Sequence, residues 1–131
     1  GYRVEFDGKS VVITGDTAAS ESLTAMSQGA DILVSDVLST DLIEAAECAS
    51  QNLDNADNAQ ILRDIRTYHI SVPELAATAV DAGVGKLILT HMVPGLDNEL
   101  GIGAFFTAPI SAVFSGEVIA AEDGTTVVLQ R

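Results

Sequence analysis

The sequence predicts an α/β fold, a mixed sheet with helices packed on one face. Three observations carry this. Short apolar runs of strand length alternate with stretches in which apolar residues recur at helical spacing. Asp7-Gly8 and Asp123-Gly124 each separate two runs suited to strands, the pattern of a hairpin. Helix start and stop signals stand at the expected offsets. With 131 residues, 47% hydrophobic and 19% charged, the chain is long and apolar enough to bury one core, so a single domain over residues 1–131 is expected.

Taken in order, residues 2–6 and 10–14 form the first predicted hairpin. Ser20 is a candidate N-cap for a helix over 21–28, closed by Gly29. Residues 31–34 read as a buried strand and 41–49 as an amphipathic helix. The polar stretch 50–58 reads as a solvated loop. It is no calcium loop, because Ala59 stands where glycine is needed. Helical spacing resumes at Ile61, Leu62 and Ile65. Ser71, Pro73 and Glu74 spell an N-cap, a first-turn proline and a capping box for a helix over 72–82 that ends at Gly83. Residues 86–90 are the next strand, and 98–115 are partly helical despite Gly101, Gly103 and Pro109. Residues 117–121 and 125–129 make the second predicted hairpin.

Composition narrows the function. Six Lys and Arg against 19 Asp and Glu give a formal charge of −13 with no basic stripe, which argues for no nucleic acid as a partner. The longest apolar stretch, 104–114, is broken by Thr107, Pro109 and Ser111, which argues for no membrane span. The one cysteine, Cys48, forbids an intrachain disulfide and leans towards the cytoplasm, while a periplasmic location stays open if a signal preceded this segment. The chain starts with Gly1 directly on a strand, so it is expected to be a piece of something longer. Gly83-Val84-Gly85-Lys86 is a helix-end turn, since Val80 and Leu87 occupy the positions where a phosphate loop needs Gly and Ser or Thr.

The chemistry-bearing residues sit at element boundaries. Asp16 follows the apolar run Ser10-Val11-Val12-Ile13, and His91 follows Lys86-Leu87-Ile88-Leu89. His69, the only other histidine, precedes a helix start. A carboxylate and an imidazole on two strand ends can meet at one metal ion. Each also has an ordinary reading: a turn aspartate, a strand-exit histidine, and a solvent-facing histidine at a helix entry. Asp36 fits a capping role ahead of Ser39 and Thr40.

Four stretches in this order, Val11-Val12-Ile13-Thr14-Gly15-Asp16-Thr17, Gly29 to Asp36, His69-Ile70-Ser71 and Ala82 to Pro94, resemble the second half of metallo-β-lactamase-fold hydrolases. The branch they resemble holds ribonuclease Z, arylsulfatase-like and phosphodiesterase members. Phe114-Ser115-Gly116-Glu117-Val118 and Ala121-Glu122-Asp123-Gly124 fit that branch's end. The resemblance implies the second half of an αβ/βα sandwich. It implies that Asp16 bridges two divalent ions, zinc by expectation, and that His91 is a terminal metal ligand. His69 would act near the scissile bond as proton donor or oxyanion stabiliser, with Asp36 orienting it.

The family's His-x-His-x-Asp-His motif belongs to the first half, and this sequence has no His-x-His. The chain is therefore expected to bind zinc weakly or not at all, and to be inactive alone. The implied parent activity is metal-activated hydrolysis of a small ester: a phosphodiester, sulfate ester or lactone. The rival expectation is a non-catalytic module whose open sheet face is covered by self-association or by the missing first half.

Overall fold

The computed structural model describes residues 1–95, 101 and 103–129. Among the described residues, five strands form one mixed sheet in the spatial order β1-β2-β3-β4-β5: Tyr2–Phe6, Lys9–Ile13, Ile32–Leu38, Lys86–Val93 and Glu117–Ala120. β1 and β2 are antiparallel, and all other neighbours are parallel. Between them run α1 (Glu21–Ser27), α2 (Thr40–Asn52), α3 (Ala56–Asp64), α4 (Val72–Ala82) and α5 (Gly103–Ser111).

Local chemistry explains most boundaries. Asp7 and Gly8 both take positive φ, 51° and 75°, as a two-residue turn compatible with strand twist requires. The Ser20 hydroxyl accepts from the Leu23 N–H and starts α1. The Glu74 carboxylate accepts from both the Ser71 N–H and the Ser71 hydroxyl at the start of α4, and Gly83, at φ 63°, ends it.

The strands alternate sides. Val12, Leu33, Val37, Leu87 and Leu89 face a core shared with Leu23 of α1, Leu75 and Ala79 of α4, and Phe106 and Ile110 of α5. The opposite face carries a row through all five strands, Tyr2, Ile13, Val34, Ile88 and Ile119, every member apolar or aromatic. Beside it Val4, Val11 and Ile32 form a second row. Tyr2 is 77% exposed, Phe6 82% and Val4 54%.

The structure corrects several expectations. The stretch 50–58 is mostly helix: α2 continues through Asn52 and α3 starts at Ala56. Its polar residues serve as a cap and a tie, for the Asn55 side chain accepts from the Asn58 N–H and the Asn58 amide donates to the Ser50 hydroxyl. β3 and β4 run past their predicted ends, to Leu38 and Val93, so Asp36 lies inside a strand rather than after one. Of the expected helix over 98–115, residues 103–111 are helical, while 98–100 and 102 lie outside the described residues. The second hairpin does not form. β5 pairs in parallel with β4, and residues 125–129 belong to no strand. Leu129 instead sits beside Val4, Phe6 and Val11 on the open face. Covering that apolar corner competes with folding back on β5.

Candidate functional site

Three segments converge at the carboxyl ends of the parallel strands, where open α/β sheets place their ligands. The first leaves β2. The Thr14 N–H still donates to the Val34 carbonyl, then Gly15, at φ 65°, turns the chain and presents Asp16. The second is the end of β4. Ser35 pairs with Leu89 and Val37 with Met92, so one residue of β3, Asp36, opposes two of β4. This bulge falls on Thr90 and His91, and His91 takes φ 41° to accommodate it. The third is the stretch before α4. Beyond the end of β2, the Leu38 N–H donates to the Ile70 carbonyl, which anchors His69 beside the end of β3.

The resulting geometry is close. Asp16, His69 and His91 each offer a ligand atom within 4.8 Å of the other two. The Asp16 Oδ1 lies 2.9 Å from the His91 Nδ1, with both side chains more than half exposed. The two histidine rings lie 5.2 Å apart, centre to centre. His69 and Asp36 are buried, and the His69 Nδ1 lies 2.7 Å from the Asp36 Oδ2. Burial pushes the Asp36 carboxyl above the usual carboxylate range, while the hydrogen bonds from His69 and from the Thr17 backbone pull it down. Capping of α2 falls to Ser39, whose hydroxyl accepts from the Leu42 N–H.

Hydroxyl groups brace the strand ends beneath these residues. Thr14 Oγ1 lies 3.3 Å from Ser35 Oγ, and Thr90 Oγ1 donates to the Ser35 carbonyl at 3.4 Å. Sequence reasoning gave neither Ser35 nor Thr90 a role in the site. The available signal was position, since each immediately precedes a site residue.

One carboxylate and two imidazoles form a hard to borderline donor set that suits zinc, manganese or ferrous iron. The fit is therefore chemical as well as spatial. A larger groove of about 640 Å³ between α4 and α5 is lined by Val72, Ala76, Val80, Phe105, Pro109 and Val113, among others. It contains none of the four polar site residues and offers no comparable chemistry.

No family model matches the chain. It is similar to the ribonuclease Z of Mycobacterium tuberculosis strain H37Rv, 43% identical over 96 residues, which are 73% of this chain and 31% of that protein. The ribonuclease Z of Mycolicibacterium gilvum strain PYR-GCK is 46% identical over 96 residues, 73% of this chain and 30% of its own length. The chain thus spans about a third of the length of these curated relatives. Among solved structures, the metallo-β-lactamase-fold protein YhfI from Bacillus subtilis superposes with a TM-score of 0.63 at 24% identity, covering 94% of this chain and 41% of that one. The fold is that of the metallo-β-lactamase proteins, and the relatives support the same superfamily.

These matches overturn the exclusion of nucleic acid as a partner and the assignment of a small-molecule ester as substrate. Relatives at this identity are named ribonucleases. The charge argument failed for a physical reason. The value of −13 is summed over a stretch equal to about a third of those proteins, and a bound cation inverts the local field whatever that sum is.

Proposed function

We infer that this chain is the second half of a metallo-β-lactamase-fold hydrolase that cleaves RNA phosphodiester bonds with divalent metal ions, zinc by preference. The observation that carries the reading is the convergence of Asp16, His69 and His91 at the strand ends, with His69 clamped by buried Asp36. In this reading Asp16 and His91 hold metal. The chemistry that a divalent ion held by these residues would supply is Lewis-acid polarisation of a phosphoryl oxygen.

The chain's own residues do the rest. Gly15 and the β4 bulge set Asp16 and His91 on backbone that leaves the sheet, so both reach one point. Asp36 accepts from the His69 Nδ1, which fixes the ring and leaves the Nε2 for the reaction. As a water oxygen bonds to the phosphorus and the P–O bond to the ribose breaks, His69 gives a proton to the departing ribose oxygen. Burial of both partners keeps that geometry from relaxing into solvent.

The test is complementation. The chain is mixed with the unmatched remainder of the M. tuberculosis ribonuclease Z, zinc and a labelled structured RNA. Cleavage is expected from the pair, and Asp16→Ala or His91→Ala should lower it by at least about 10³-fold. Cleavage that survives both substitutions would refute the assignment of the ligands.

A second reading, a module that self-associates through its sheet, is favoured by the exposed Tyr2, Val4, Phe6 and Ile13 on the open face. It concerns the chain by itself and is compatible with the first.

A further inference from the structure

We propose that Tyr68 is a substrate-binding residue, on whose ring the unpaired base of the departing nucleoside stacks. This rests on the reading of the chain as half of an RNA-cleaving hydrolase. It adds the part of the RNA that this half grips, a base rather than a phosphate.

Tyr68 stands directly before His69 and follows the short 3-10 helix Ile65–Thr67, to which its N–H donates at the Ile65 carbonyl. On its other side the chain is pinned, because the Ile70 carbonyl accepts from the Leu38 N–H. The residue is thus held from both ends. Its ring centre lies 5.0 Å from that of His69. His69 is only 6% exposed, while Tyr68 is 47% exposed, so Tyr68 is the one of the two that offers a broad face. In the functional reading His69 gives its proton to the oxygen of the departing ribose, so that ribose lies against His69. The base it carries is then within reach of the neighbouring Tyr68 ring. Among the described residues the other exposed non-histidine aromatics, Tyr2, Phe6 and Phe105, sit on β1 and α5.

The charges point the same way. Among the described residues, Arg3, Lys9, Arg63, Arg66 and Lys86 are each paired with a carboxylate. Lys9 and Lys86 also open β2 and β4, at the end of the strands opposite the site. A cation already neutralised by a neighbour gains little from a phosphate, and the summed charge of −13 repels the backbone. Stacking needs no charge. Every base has a π-face, and unpaired bases of RNA are bound by stacking on aromatic side chains.

The test uses the reconstituted pair of the complementation assay, so it does not depend on where this chain begins. Two RNAs are compared, identical except that the nucleotide carrying the departing oxygen is abasic in one. For the wild type, KM is expected to be at least about fivefold lower for the RNA that keeps the base, as a weak stacking contact gives. Tyr68→Leu keeps bulk but has no π-face, and should abolish that difference. Tyr68→Phe should retain it, since stacking needs the ring and not the hydroxyl. Both RNAs are read within each variant, so a loss of folded protein affects them alike and leaves their ratio untouched. If Tyr68→Leu keeps the wild-type ratio, or if the wild type shows equal KM for the two RNAs, the inference is overturned and the functional reading stands. If the wild-type pair cleaves neither RNA, the functional reading falls and this inference falls with it.

Discussion

His91 occupies a backbone conformation that side chains seldom adopt. At φ 41° it sits in the left-handed region, and a non-glycine residue there costs about 1–3 kcal/mol. The β4 bulge imposes that conformation, and the gain is a ring within 2.9 Å of Asp16. Stability and function therefore oppose each other at this one residue. His91→Gly and His91→Ala both remove the ring, but only glycine accepts the backbone freely. Urea unfolding should show His91→Gly more stable than His91→Ala by about 1 kcal/mol, with zinc binding lost in both. Equal stabilities would mean that the bulge relaxes once the ring is gone. Neither the bulge nor the strain is legible in Lys86-Leu87-Ile88-Leu89-Thr90-His91, because a bulge is a relation between two strands.

The elements were legible where their signals are local. Ser20, Ser71 with Glu74, Gly83 and Asp7-Gly8 each act through a neighbour a few residues away, and each is used as its chemistry requires. The lengths of β3 and β4 were not legible, since their last residues are held by pairing with distant segments. Asp31 shows how such distant ties respond to pH. Its carboxylate accepts from the Ser10 N–H at 2.8 Å and lies 3.3 Å from Lys9 Nζ, joining the start of β2 to the residue before β3. These contacts hold its carboxyl below the usual carboxylate range, with the Ser10 backbone contributing most. A lowered folded value means that the contribution is present above the ordinary carboxylate pKa of about 3.9 and is lost as the pH falls through the lower folded value. The stability difference between the wild type and Asp31→Ala should therefore be largest at neutral pH and shrink below about pH 4. Urea melts at pH 7 and pH 3 would show this, and a constant difference would rule it out.

At the scale of the whole molecule, the sheet is covered by α1, α4 and α5 on one face; on the other, Ile32 and Ile88 are buried, while the β1–β2 end leaves Tyr2, Val4, Phe6 and Ile13 exposed. The segment after β5 reaches Leu129 to the far edge of that open face, beside Val4, Phe6 and Val11. The wild-type chain should bind a hydrophobic dye or self-associate in light scattering. Replacing Val4 and Ile13 together by threonine, which keeps β-branching, should reduce either signal several-fold with little change in the sheet. A monomer without dye binding would show that the face is closed by other means.

The sequence by itself determined the α/β class, the punctuation of α1 and α4, the first hairpin, and the candidacy of Asp16, Asp36, His69 and His91. The first three rest on hydrophobic period, caps and turn chemistry, which act over a few residues; the candidacy of the four rests on the resemblance of the ordered motifs, with Asp16, His69 and His91 also marked by their places at element boundaries. Only the tertiary structure decided that the donors of Asp16, His69 and His91 lie within 4.8 Å, that His69 is clamped by Asp36, and that residues 125–129 leave β5 for the open face. Each of these depends on register between strands far apart in the chain, and on which apolar surface a segment covers at least cost. Neither quantity is encoded in any single stretch of residues.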